Sequence, residues 1–238
     1  MSGHSFDKAK QGYVNLLLKN GQNKRHGDDS LMVQARSRFL ERGYYAPLRD
    51  KISRIIGSGH TVLDSGCGEG YYTSLFAEKN KVIGIDISKD ALKSAAKRCK
   101  NSEFAVASVA EIPLSDKSVD TVVCIFAPDS KEFNRVLKDG GRLITATPLE
   151  NHLMELKAKV YDNPYKNPPS DHSRDGFSIL SQHEIKYSIT LGNNEDIISL
   201  FKMTPYYYKT AKSDQDKLLS VCSLTVGLEF MITEHIKL

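Results

Sequence analysis

One stretch governs what this chain can become: VLDSGCGEGYYT, residues 62–73. An apolar β-run ends at Asp64, three glycines follow at alternate positions, and a helical pattern starts at once. Gly66, Gly68 and Gly70 let the backbone turn tightly and let a ligand approach where a Cβ would collide. A nicotinamide-binding turn requires G-x-G-x-x-G, and counting from Gly66 its third glycine falls on Tyr71. The pattern here is D-x-G-x-G-x-G, which argues against that cofactor.

The flanking sequence repeats the same unit. TVLDSG, KVIGIDIS, EFAVAS, VDTVVCIFA and GGRLITATP are short β-rich runs, with helical YYTSLFAEK and KDALKSAAKRC between the first pairs. Strands alternating with helices need parallel crossovers, so the expected fold class is α/β with a doubly wound sheet. Residues 30–42 predict a helix, capped by Asp28, Asp29 or Ser30, with Met32, Ala35 and Phe39 on one face and Gly43 as its stop. A second helix spans about 47–56, with Pro47 in its first turn. Ahead of both, residues 3–20 open on His4 and read as an amphipathic run. Three prolines among polar residues make 161–173 an exposed, mobile loop. Residues 176–238 read as further strands around one helix at about 194–202.

Composition works by exclusion. A length of 238 residues suits one full core with a small appendage. No stretch approaches the roughly 18 apolar residues that cross a bilayer, and no charged-then-apolar leader is present. No membrane partner and a cytoplasmic address are therefore expected. Cys67, Cys99, Cys124 and Cys222 form no C-x-x-C pair, so they read as buried free thiols rather than as a metal site. The net charge is +4, and all of it comes from residues 1–50, which carry nine Lys or Arg against five Asp or Glu. Any surface for phosphates should lie there, the alternative being a solvated helical face.

Asp64 has company at the strand ends. Asp86 closes the next β-run, where a carboxylate can accept both hydroxyls of a ribose, and Ser108 closes the third, near an adenine edge. Taken singly, these are turn and capping residues. Together they define one crevice on the carboxyl edge of the sheet. Here the chain resembles the S-adenosylmethionine-dependent methyltransferases. The resemblance implies the class I, Rossmann-like form of the fold, mostly parallel with an antiparallel last strand, and S-adenosyl-L-methionine as cofactor.

The substrate must be argued elsewhere. IFAPDS at 125–130 stands where adenine amino-methylases carry N/D-P-P-Y/F, and Pro128 precedes Asp129 rather than a nucleophilic cysteine. Direct transfer to a ring nitrogen or oxygen fits better than covalent catalysis. The flanks GHSFDKAKQGYVNLL, GDDSLMVQARSRFLERGYYAPLRD, CGEGYYT, ITATP and NHLMELK are similar to the bacterial 23S rRNA guanine-N1 methyltransferases of the RlmA type, over nearly the whole chain. That family's substrate is a guanine in a hairpin loop of 23S rRNA domain II. Its members open with a zinc ribbon of three cysteines and one histidine, and His4 matches the last ligand. The three cysteines have no counterpart, and one imidazole cannot hold tetrahedral zinc, so no metal is expected at His4. Either this member lacks the module or it has been cut away. By the same resemblance Tyr45, Gly68, Glu69 and His152 contact the cofactor, alongside Asp64, Gly66, Gly70, Asp86 and Ser108. Residues 1–50 become a basic, RNA-facing helical extension and 51–238 the methyltransferase domain. Homodimers are common in the family.

Guanine N1 must lose a proton, so a base is expected. Asp129 is the first candidate and His152 the second, although Asp129 reads equally as a turn residue and His152 as a helix cap. Lys24, Arg25, Arg36, Arg38 and Arg42 are the candidate phosphate contacts. Phe126 and the run TPYYYK (204–209) offer rings for stacking, the run alternatively being a strand with two rings buried. Two competitors share the glycine turn. One is a quinone-type small-molecule methyltransferase, suggested by IPLSD at 112–116; the other is a cofactor-binding, RNA-associated protein without turnover.

Overall fold

A computed structural model describes residues 7–17 and 30–238. His4, Lys24, Arg25, Asp28 and Asp29 lie outside the described residues. In chain order the elements are β1 (Tyr13–Asn15), α1 (Ser30–Glu41), α2 (Ala46–Ile56), β2 (Thr61–Ser65), α3 (Tyr71–Phe76), β3 (Lys81–Asp86), α4 (Lys89–Arg98), β4 (Glu103–Val106), β5 (Val119–Ile125) and α5 (Glu132–Val136). They continue with β6 (Leu137–Pro148), α6 (Met154–Val160), β7 (Phe177–Leu191), α7 (Asn194–Lys202), α8 (Lys212–Asp216) and β8 (Leu224–Lys237). The sheet order is β1-β4-β3-β2-β5-β6-β8-β7. Five pairings, from β1 to β6, are parallel; β8 alone runs against its neighbours, inserted between β6 and β7. This is the doubly wound sheet that the alternation of runs implies, with the antiparallel last strand that the family resemblance implies.

Alternation along the central strands feeds two cores. Val62 and Val123 pack with Phe39, Leu48, Ile52 and Leu200 on one face. Their neighbours Leu63, Val122 and Cys124 pack with Phe133 and Val136 on the other. Strands buried on both faces must be apolar throughout, which is why these runs show no polar period. α4 starts where Ser88 Oγ accepts the Ala91 N–H at 3.3 Å, and its Ala91, Leu92, Ala95 and Ala96 stripe is buried. A third cluster joins that stripe to Tyr13 and Phe104.

Four expectations change. Tyr13–Asn15 is a strand, paired parallel with β4, inside what reads as an amphipathic run. The boundary drawn at residue 50 falls within α2, whose Leu48, Ile52 and Ile56 belong to the main core, so packing does not break there. TPYYYK is not a strand: Tyr207–Lys209 forms a short 3-10 turn, and only the Tyr208 ring is largely exposed. Cys222 is exposed, whereas Cys67, Cys99 and Cys124 are buried and free. The proline-rich loop is irregular, as expected, but it is anchored. Lys157 donates to Tyr165 O at 2.9 Å and to Asn167 Oδ1 at 2.8 Å, and Asn167 Nδ2 reaches Leu149 O at 2.8 Å. Among the described residues no helix is long and apolar enough to cross a membrane.

Candidate active site

The carboxyl ends of the parallel strands border one cavity of ≈ 780 Å³, within the range of roughly 300–1,000 Å³ usual for small-ligand sites. Tyr45, Asp64, Gly66, Gly68, Glu69, Asp86, Ser108 and His152 all line it. Those residues come from the end of β2 and the glycine turn, from the ends of β3 and β4, and from the segments that lead into α2 and α6. Gly70 does not line it. A Cβ there would stand 3.1 Å from Ala95 Cα, so Gly70 lets α3 approach α4. At Gly66, φ is +76°, and a Cβ would meet the Ala127 Cβ at 2.5 Å; only glycine permits both the left-handed turn and that approach.

Three carboxylates converge on the glycine turn. Asp86 Oδ2 accepts the Gly68 N–H at 2.9 Å, and its Oδ1 accepts the Ser88 N–H at 2.7 Å. Asp64 is buried and accepts Thr73 Oγ1–H at 2.5 Å. Burial pushes its pKa up to about 7 against that hydrogen bond, and the nearby Asp86 and Glu69 charges add to the rise. Glu69, also buried, accepts Arg36 Nε–H at 2.6 Å.

The basic residues therefore divide. Arg36 turns inward and lines the cavity, with 20% of its side chain exposed. Arg38 and Arg42 stay half-exposed and bridge α1 to α7, Arg38 through Glu195 and Arg42 through Asp196 at 3.6 Å. At the other end of the cavity, His152 Nδ1 accepts the Glu229 backbone N–H at 3.2 Å, and the ring lies 4.7 Å from Phe230. That bond fixes the proton on Nε2. Burial, helped by the Lys157 charge, holds the imidazole pKa down to about 3. His152 thus lines the cavity as a neutral imidazole near neutral pH. Asp129, the other candidate base, does not line the cavity; its carboxylate pairs with Arg174 and is 53% exposed.

Tyr45 is buried at the start of α2, its ring 5.2 Å from Phe230 and 6.3 Å from Phe126. Phe126 lines the cavity with φ +54°, a conformation rare for a bulky residue, and keeps 45% of its surface exposed. Arg174, Thr147 and Tyr206 line the cavity too. Sequence reasoning missed Arg174 and Thr147 as site residues, whereas Tyr206 belongs to the run TPYYYK that it offered for stacking. Arg174 lies just past the proline-rich loop, with no motif around it to mark it. Among the described residues no group of three His, Cys, Asp or Glu is placed to hold a metal ion.

Residues 56–204 match the model of a family described as a methyltransferase domain. The protein YxjB of Bacillus subtilis, provisionally named a 23S rRNA (guanine-N(1)-)-methyltransferase, is 36% identical over 97% of this chain and 88% of its own length. The chain belongs to that methyltransferase family. A second member, the 23S rRNA (guanine(748)-N(1))-methyltransferase of Streptomyces fradiae, is 37% identical over 65% of this chain and 59% of its own length. Among solved structures, the YcgJ protein of Bacillus subtilis superposes with a TM-score of 0.53 at 16% identity, covering 79% of this chain and 97% of that one. At that identity it shows the fold alone.

Membership in the guanine-N1 methyltransferase family makes S-adenosylmethionine the cofactor, and the residues present fit it. The ligand is cationic at sulfur and at its amino group, and the turn gathers Asp64, Glu69 and Asp86. Asp86, at the end of β3, brings a carboxylate to the same cavity wall as Ser108.

Proposed function

We propose that the protein methylates N1 of a guanine in a hairpin loop of 23S rRNA domain II. The reading rests on the near full-length similarity to YxjB, supported by the cavity's second end, where Phe126 presents an exposed ring in a strained backbone conformation beside the glycine turn. The bound cofactor supplies a methyl group on a positively charged sulfur, ready for in-line transfer. Asp86 would take the ribose hydroxyls, Ser108 the adenine edge, and Asp64 with the Gly68 turn the amino-acid end. Tyr45 closes over the site from α2. Phe126 would stack the target base once it leaves its loop, at a cost of a few kcal/mol that is smaller for an unpaired loop base than for a paired one. His152 Nε2–H and Thr147 stand ready as donors to the base or the cofactor.

Arg38 and Arg42 would meet phosphates, and so would Lys24 and Arg25, which lie outside the described residues. The test is primer extension on a domain II hairpin transcript treated with protein and cofactor. Methylation at N1 blocks Watson–Crick pairing, so reverse transcriptase stops one nucleotide before the guanine. Clean read-through at saturating enzyme would sink the assignment.

A further inference from the structure

Arg174 is the one guanidinium of the cavity wall that stands beside the loop after β5. The segment that carries it is fixed on both sides. His235 Nε2 lies 2.7 Å from His172 O, Phe177 N–H donates to Arg174 O at 3.1 Å, and Gly176 O accepts the Leu238 N–H at 3.1 Å. The side chain is 19% exposed and reaches across to Asp129, three residues after Phe126. Its Nε–H is buried and meets no acceptor among the described residues. A buried donor left unpaired costs roughly 1–3 kcal/mol, more when it is charged. The fold keeps this cation on the wall of the same cavity as Phe126, the ring proposed to hold the base.

Guanine presents O6 beside N1. As N1 loses its proton, the negative charge is shared with O6. We propose that Arg174 is a catalytic residue of this reaction: its guanidinium donates to O6 of the target guanine and stabilises the charge that develops over N1 and O6. The inference rests on the guanine-N1 reading. The N1 proton passes to water, the N1 electron pair forms the new bond to the methyl carbon, and the carbon–sulfur bond breaks with its pair staying on sulfur. The product base is neutral, so charge on O6 exists only in passage. A fixed donor there favours the transition state over both substrate and product. Asp129, outside the cavity, is a positioning residue that orients the guanidinium. No strong base is then required, which agrees with the neutral His152 and the solvent-facing Asp129.

The experiment compares wild type, Arg174→Ala, Arg174→Lys and Asp129→Asn on the domain II hairpin transcript, with cofactor Kd from calorimetry as the check on folding. Loss of one such donor costs about 10²–10³-fold in kcat. Arg174→Ala should show that loss with cofactor Kd unchanged and RNA KM nearly so. Its rate should keep climbing with pH beyond the wild-type plateau, and free guanidinium ion in the buffer should restore part of it. Arg174→Lys should retain an intermediate rate, and Asp129→Asn should lose about tenfold with a smaller pH displacement. Wild-type kcat in Arg174→Ala overturns the inference. So does a raised RNA KM with unchanged kcat and pH profile, the mark of a phosphate contact. A loss without rescue or pH displacement, seen in both Arg174 variants, overturns it as well. A wild-type protein that leaves no methyl at N1 removes the substrate reading and this inference with it; an active wild type with an unperturbed Arg174→Ala removes the inference alone.

Discussion

Arg36 Nε and Glu69 Oε2 lie 2.6 Å apart, joining the first long helix to the glycine turn across 33 positions of sequence. This pairing separates Arg36 from the other arginines of α1. Arg36→Gln should weaken cofactor binding, because Glu69 would stay buried without its cation. It should leave the salt dependence of RNA binding unchanged. The double variant Arg38→Gln/Arg42→Gln should do the reverse. Each phosphate contact to a single strand contributes about 0.7 to the slope of log K against log salt. Two lost contacts should therefore flatten that slope by about 1.4, measured by filter binding across a salt series.

Asp64 carries a pH signature. Its pKa stands at about 7 in the folded protein, above its ordinary 3.8, chiefly because burial penalises the charge. A raised folded pKa contributes stability that is full below the ordinary value and lost as pH rises through about 7. Asp64→Asn keeps an acceptor for Thr73 and removes the buried charge. The cofactor-free variant should melt higher than wild type at pH 8, by up to ~4 kcal/mol in stability, and equally at pH 4. A cationic ligand favours the ionised carboxylate, so wild-type binding near neutrality should release a proton. Calorimetry in buffers of different ionisation enthalpy reads that release, and the Asn variant should lose both the release and most of the affinity.

Phe126→Ala should separate base capture from cofactor binding. Base–aromatic stacking is worth about 1–3 kcal/mol, so RNA KM or kcat/KM should worsen by roughly 10–100-fold. Cofactor Kd should stay within about twofold. Steady-state kinetics on the hairpin, with calorimetry as control, decides it.

How far the site could be read in the sequence follows from the kind of signal each residue carries. Asp64, Asp86 and Ser108 sit at the ends of β-runs, and strand ends in a parallel sheet share one edge, so their meeting at the cavity was legible. Gly66 and Gly70 look alike in the sequence but differ in use, since only three-dimensional packing sets Ala127 against one and Ala95 against the other. β1 was hidden because three residues cannot display a period. Arg174 was hidden for a different reason: it lines the cavity while pairing with Asp129, 45 positions earlier, and nothing local announces a contact of that span.

Lys157 shows what holds the proline-rich loop against the site. The side chain is fully buried, donates to Tyr165 O and Asn167 Oδ1, and lies 4.9 Å from both the Tyr165 and Tyr206 ring centroids. Tyr206 OH donates to the same Asn167 Oδ1 at 3.0 Å and lines the cavity. Lys157→Met fills the volume but leaves Tyr165 O without its donor and Asn167 Oδ1 with Tyr206 OH alone. Stability should drop by about 1–3 kcal/mol, and limited proteolysis should cut within 161–173 faster than in wild type. Unchanged cleavage would show that the loop is held by other contacts.

His152 lends itself to the sharpest acid-side test. Its folded pKa of about 3 lies below the ordinary 6.5, because burial and the Lys157 charge oppose protonation. Below pH 6.5 the unfolded chain takes up a proton that the folded chain refuses. Stability from this group is therefore full above that pH and lost as pH falls toward 3. Between pH 7 and pH 5 the loss amounts to ~2 kcal/mol. His152→Asn can still accept the Glu229 N–H through Oδ1, so its stability at pH 7 should change little while the acid-side loss shrinks. His152→Ala leaves that N–H unpaired and should cost about 1–3 kcal/mol at every pH. Thermal melts of the three proteins at pH 5, 6 and 7 distinguish these outcomes. In kinetics, neither the wild type nor the Asn variant should show a rate limb near pH 6.5, because an imidazole whose Nδ1 pair is already engaged has no proton to exchange in that range. A limb there that vanishes in the Asn variant would restore His152 as the base.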